Sequence, residues 1–313
     1  RELLIQHQGV LLAQHKVVAM KQASGDVFIG NDPYVAAGQH LPDIYIVEPI
    51  FYEGRLVAWT TTLAHHADVG GIVPGSNALG AEEIYQEGLR LPFLKLYDQG
   101  VMNAAIWEII GLNVRVPEMV YGDLRAQMAA SHAGRRSFLE LVARHGIDDV
   151  LACAHELHDY AERLGRAEIR DLPNGTYHFT DHLDGLGETP EPIVIQIALT
   201  IHDDTISVDF AGSSPQVKGG VNTPIPFTKA SVYTALRSVM LSDVPNCHGF
   251  ERVVTVTAPK GTVVNSVHPA PCGARAAWTS SPKPWRKSRP PAGAPSASTW
   301  TLPTRTASAP PSA

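Results

Sequence analysis

GDVFIGNDPYVAAGQHLPDIYIVEPIFYEGRLVAWTTTLAHHADVGG, residues 25–71, decides the fold. Asp43–Tyr52 and Arg55–Ala64 are apolar runs rich in Ile, Val, Tyr, Trp and Thr, and each reads as a strand. Glu53-Gly54 between them reads as a hairpin turn. Asp43 opens the first strand and His65 ends the second, almost symmetrically about that turn. Opposite residues of an antiparallel pair hold their Cβ atoms roughly 5 Å apart. The open end of the hairpin therefore gathers His40, Asp43, His65, His66 and Asp68 into one neighbourhood, a carboxylate and imidazole set of metal-ligand type.

Taken singly, each motif has a plainer reading. HLPD (40–43) is a turn sequence, and HHAD (65–68) opens a Gly-rich loop. The two in register across one hairpin favour the cluster.

Outward from the hairpin, Val27–Gly30 reads as a short strand. Asn31-Asp32-Pro33-Tyr34 is a turn, because a residue before proline is pushed out of the α region. Asn31 and Asp32 read equally well as support for the cluster and as turn chemistry. Val69–Gly80, rich in Gly, Pro and Ser, is a loop of the kind that carries substrate contacts. Ala81–Glu87 is expected as a short helix, Leu91–Tyr97 as a strand and Met102–Leu112 as a helix. Glu118–His145 and Asp148–Glu168 are amphipathic helices separated by Gly146, expected to lie antiparallel. On them, His155 and His158 lack a third ligand and read as helix-surface histidines. Asp123 and Gln127, one turn apart, are placed to share a hydrogen bond. Strands at Tyr177–Leu183, Ile193–Ile201, Thr205–Phe210 and Arg252–Ala258, with a helix at Phe227–Leu241, form a second β-rich region. The fold class is α+β: antiparallel β-hairpins, a long helical pair and that second region, divided at 1–115, 116–170 and 171–275. Residues 276–313 hold no acidic residue and no Val, Ile, Phe, Tyr or Met, a composition that supports no core.

Composition excludes several functions. The net charge is −6 and no basic stripe is interleaved with aromatics, so nucleic acid is not expected as a partner. No run of 18 apolar residues exists, so no membrane span is expected. The first residues show no leader pattern, although the chain does not start with Met. Cys153, Cys247 and Cys272 form no CxxC pair, which suits a reducing, cytoplasmic compartment. No GxxxxGK[ST] motif occurs, which is consistent with ATP being handled elsewhere.

GDVFIGNDPY, GQHLPD, FYEGRLVAW, AHHADVGG, EEIYQEGLRLPFLKLY and NVRVPEMVYGDLRAQ resemble the hydantoinase B/5-oxoprolinase family, over about Gly25 to Arg275. The resemblance implies a divalent metal (Zn, Fe or Mn) held by His40, Asp43, His65 and an acidic residue upstream, for which this sequence shows no counterpart. His66 or Asp68 would orient those ligands or act as general base. An A-type hydantoinase/oxoprolinase ATPase subunit is implied as partner, with ATP bound on that partner. It would phosphorylate an amide or enol oxygen of a small-molecule substrate: a hydantoin, 5-oxoproline or another lactam. A subunit of an acetone- or acetophenone-type carboxylase, or an inactive fragment of either enzyme, is the alternative. Because the upstream ligand has no counterpart, the chain is expected to be truncated at its N-terminus, and because the resemblance stops abruptly at Arg275, to be frameshifted beyond that point.

Overall fold

A computed structural model describes residues 20–35, 38–187, 190–240 and 243–273. The apolar segment before Met20 and the 276–313 tail lie outside the described residues. Strands β1 (Val27–Gly30), β2 (Asp43–Tyr52), β3 (Arg55–His65), β4 (Leu94–Asp98) and β5 (Val101–Met102) form an antiparallel sheet in the order β3-β2-β1-β4-β5. β2 and β3 are the expected hairpin. Glu53 and Gly54 both have positive φ, 49° and 74°, as a two-residue turn matching the twist of the strands requires.

Counted outward from Tyr52↔Arg55 and Phe51↔Leu56, an unbroken ladder would set Asp43 opposite Ala64. The ladder shifts by one between Phe51 and Ile50, which pairs with Ala58, so Val57 has no opposite residue and Asp43 stands opposite His65. This is a β-bulge. Val57 is buried with Ile50 and Ala58, and Phe138 and Leu139 pack against them.

Three helices follow: α1 (Ala104–Asn113), α2 (Pro117–His145) and α3 (Ile147–Arg170). Proline at the first position of α2 sits where its missing N–H costs nothing. Gly146, at φ 83°, separates α2 from α3. α2 lies across β2 and β3, where Val120, Leu124 and Met128 join Val27, Ile29, Ile44 and Ile46 in one core. Ala161 and Ile169 of α3 belong to another core. That second core is built on β6 (Gly175–Leu183), β7 (Ile193–His202), β8 (Thr205–Asp209) and β9 (Val254–Thr257), in sequential order with β8 and β9 parallel. The strict alternation of β7 sends Ile193, Ile195, Ile197, Leu199 and Ile201 inward. α4 (Ile225–Val239) and the short α5 (His248–Glu251) cover it.

Some elements differ from expectation. Only a 3₁₀ turn, Ile84–Gln86, forms within 81–87. The next strand starts at Leu94, because the Leu91 N–H donates to Asn31 Oδ1 (2.7 Å) and its carbonyl accepts from the Asn31 and Asp32 N–H groups. His158 is not a surface histidine: it is 3% exposed, its ring faces His248 at 6.2 Å, and α5 packs over it. His155 is exposed, as read.

Glu87, just past the 3₁₀ turn, is buried and accepts the Cys272 N–H at 2.8 Å, tying that turn to the last of the described residues. Burial drives its pKa up from 4.5 to about 8, against the lowering pull of that hydrogen bond. The folded state thus keeps a proton that the unfolded chain has lost, and stability falls as pH rises from about 4.5 to about 8. Glu87→Gln removes this dependence. Its denaturation midpoint relative to wild type should climb steadily across that window; a difference independent of pH would show that Glu87 titrates alike in both states.

Candidate metal centre

The cluster is built by the two segments at the open end of the hairpin. HLPD is a turn, with the Asp43 N–H donating to the His40 carbonyl at 3.1 Å, so His40 and Asp43 are brought to one side. The His66 N–H donates to the Pro42 carbonyl at 2.8 Å and closes the hairpin mouth. With His65 opposite Asp43, ligand atoms of His40, Asp43 and His65 all lie within 4.8 Å of one another. His40 Nε2 is 3.3 Å from Asp43 Oδ1, and the His40 and His65 ring centroids are 4.8 Å apart. His40 and Asp43 are buried, and His65 is exposed.

A divalent ion fits this donor set. Two imidazoles and a carboxylate are borderline ligands suited to Zn, Fe or Mn, and bonds of about 2.0–2.2 Å reach across such a group. The contact between His40 Nε2 and Asp43 is close but not aligned as a hydrogen bond, so this buried nitrogen has no hydrogen-bond partner. An atom in that state is where coordination gains most. Exposed His65 leaves an approach for a small molecule.

His66 and Asp68 are placed differently. His66 is wholly buried, with Nε2 2.8 Å from Gln127 Oε1. Burial lowers its pKa, outweighing the Gln127 hydrogen bond and the Asp123 charge. Asp68 accepts from the N–H groups of Gly70 (2.9 Å), Gly75 (3.0 Å) and Arg115 (3.0 Å) and from Arg115 Nη1 (3.0 Å). Burial pushes its carboxyl pKa up, but these hydrogen bonds together hold it below the usual value. All four contacts shape the loop that follows His66, and none belongs to the cluster. Arg115 completes the clamp by donating to the carbonyls of Gly70, Gly71 and Val73. Gly71 is required here: at φ 81° a Cβ would stand 2.6 Å from the Glu87 carbonyl oxygen.

Three polar residues near the hairpin mouth, Asn31, Asp32 and Gln127, bond beyond their local patterns. Asn31 donates to the Leu41 carbonyl at 2.7 Å and to that of Leu89 at 2.9 Å, so it braces the HLPD turn directly. Asp32 caps its own turn through the Tyr34 N–H (2.8 Å) and pairs with Arg90 at 2.6 Å. Gln127 does not turn to Asp123; it reaches across to β2 and His66. Its signal in the sequence was only a polar residue on the buried stripe of α2.

The profile of the hydantoinase B/oxoprolinase family matches residues 4–282. The chain is 37% identical over 270 residues to the caprolactamase subunit beta of Pseudomonas jessenii, covering 85% of this chain and 46% of that one. The crystal structure of the ATP-dependent caprolactamase from Pseudomonas jessenii superposes with a TM-score of 0.80 at 36% identity, over 87% of this chain and 48% of that one. A nucleotide-free acetone carboxylase shares the fold, with a TM-score of 0.77 at 22% identity, over 84% and 36% of the two chains. This chain thus spans less than half the length of these curated relatives. No helix among the described residues is long and apolar enough to cross a membrane. The α+β fold, the hairpin and its flanking motifs agree with the profile and with the caprolactamase structure: the chain belongs to the hydantoinase B/oxoprolinase family.

Proposed function

We propose that this chain is the metal-bearing B-type part of an ATP-dependent cyclic-amide hydrolase acting in the cytoplasm. The observation that carries the reading is the convergence of His40, Asp43 and His65 at the mouth of one hairpin. In it, these three residues hold a divalent ion, Zn, Fe or Mn. That ion supplies Lewis-acid activation of water and of the substrate. His40 and Asp43, fixed by the HLPD turn, set the buried side of the centre, and His65 its open side. His66 serves as proton acceptor, while Asp68 and Arg115 hold the loop that shapes the approach. In this reading the substrate is activated by an A-type ATPase partner, in keeping with the ATP dependence of the caprolactamase. The substrate class is a hydantoin, 5-oxoproline or another lactam.

His65→Ala should weaken zinc binding beyond the roughly 10- to 100-fold that loss of a supporting partner costs. The fold should stay intact, because His65 is an exposed strand end. Equilibrium dialysis with elemental analysis measures this; zinc held equally well by the variant would sink the proposed centre. Ring opening of a lactam should need both ATP and an A-type partner added to this chain. Hydrolysis by this chain with metal alone, followed by chromatography of the opened product, would instead make it a self-sufficient metallohydrolase.

A further inference from the structure

Gln127 has a chemical consequence for His66 that follows from two distances. Its Nε2 lies 2.9 Å from the Ile44 carbonyl oxygen. A carbonyl only accepts, so the amide NH₂ must face Ile44; Thr62 Oγ1, at 3.5 Å, stands near the same nitrogen. The amide oxygen must then face His66 Nε2, 2.8 Å away. That oxygen also only accepts, so the proton of the neutral ring sits on Nε2 and Nδ1 carries a bare lone pair. His66 has no exposed surface, and its Nδ1 has no hydrogen-bond partner among the described residues. A buried acceptor left without a donor in a native structure calls for one beyond these residues, and an ordered water is the usual one.

We propose that Gln127 is a positioning residue: anchored by the Ile44 carbonyl, it locks His66 in the Nε2–H tautomer and so keeps Nδ1 as a buried acceptor for a water molecule. Turning the ring over would set Cε1–H in place of Nε2–H against the amide oxygen and forfeit that hydrogen bond. The anchor lies on β2 one residue after Asp43, and His66 follows His65, so one side chain ties both arms of the hairpin mouth to α2. The role of Nδ1 toward water rests on the proposed metal centre; the tautomer does not.

The test is long-range ¹H–¹⁵N correlation spectroscopy of the full, metal-free chain labelled at histidine nitrogens, with the His66 signals assigned by their loss in His66→Gln. The expected result at neutral pH is a protonated Nε2 and an unprotonated Nδ1, with this preference lost or mixed in Gln127→Leu. A proton on Nδ1 in the wild type would overturn the proposal without recourse to any variant. A Gln127→Leu protein that keeps the Nε2–H form unchanged would also overturn it, by removing Gln127 as the cause. Zinc titration of the same wild-type sample separates the two readings: unmoved His40 and His65 signals would overturn the metal centre, and with it the role toward water, whatever the tautomer.

Discussion

One extra residue in β3 decides where His65 stands. Because successive side chains of a strand point to opposite faces, a one-residue slip turns a whole strand's pattern over. Without the bulge at Val57, the hairpin would pair Asp43 with Ala64 and leave His65 outside the ladder. Burial of Val57 beside Ile50 and Ala58, under Phe138 and Leu139 of α2, supplies the driving force for keeping the bulge. Removing an apolar side chain of that size from water is worth about 1.5–3 kcal/mol, more than the roughly 0.5–1.5 kcal/mol net of a missing ladder bond. The ligand cluster at one end of the hairpin therefore depends on a packing contact at the other.

Much of this was legible in the residues themselves. The strands of the hairpin announce themselves by Ile, Val, Tyr and Thr, and the turn by Glu53-Gly54; β7 does so by alternation. His40, Asp43 and His65 could be brought to one neighbourhood by their near-symmetric placement about the turn, although counting alone is out by one residue and sets Asp43 opposite Ala64. The bulge could not be read, since it is set by helix α2 more than 80 residues away, through Phe138. For the same reason the burial of His158 was hidden: α5, four residues long and some 90 residues further along the chain, packs directly over it. Asp68 looked like one more acid in a polar motif, and only the fold reveals that Arg115 and three backbone N–H groups saturate it.

The polar side chains around the hairpin mouth divide into those that are spent and those that are not. Asn31 is spent on the carbonyls of Leu41 and Leu89 and on the Leu91 N–H. Asp68 is spent on its loop, and Gln127 on Ile44 and His66. Each would cost on the order of 1–3 kcal/mol if left unsatisfied where it lies, so the fold secures them first. Each also bridges segments distant in the chain, which stiffens the HLPD turn and the HHAD arm against each other.

Against this satisfied background, two buried imidazole nitrogens stand out: His40 Nε2 and His66 Nδ1 have no hydrogen-bond partner. Other buried groups share that state, Trp107 Nε1 and His158 Nδ1 among them. What distinguishes His40 is its company, for His40, Asp43 and His65 are the one group of three or more His, Cys, Asp or Glu residues among the described residues whose ligand atoms converge. A fold that only needed a stable hairpin mouth could have closed it with apolar residues, as it does at the other end with Ile50 and Val57. Keeping two unpartnered nitrogens there, dry on one side and open through His65 on the other, costs stability, which under the proposed metal centre a bound ligand returns.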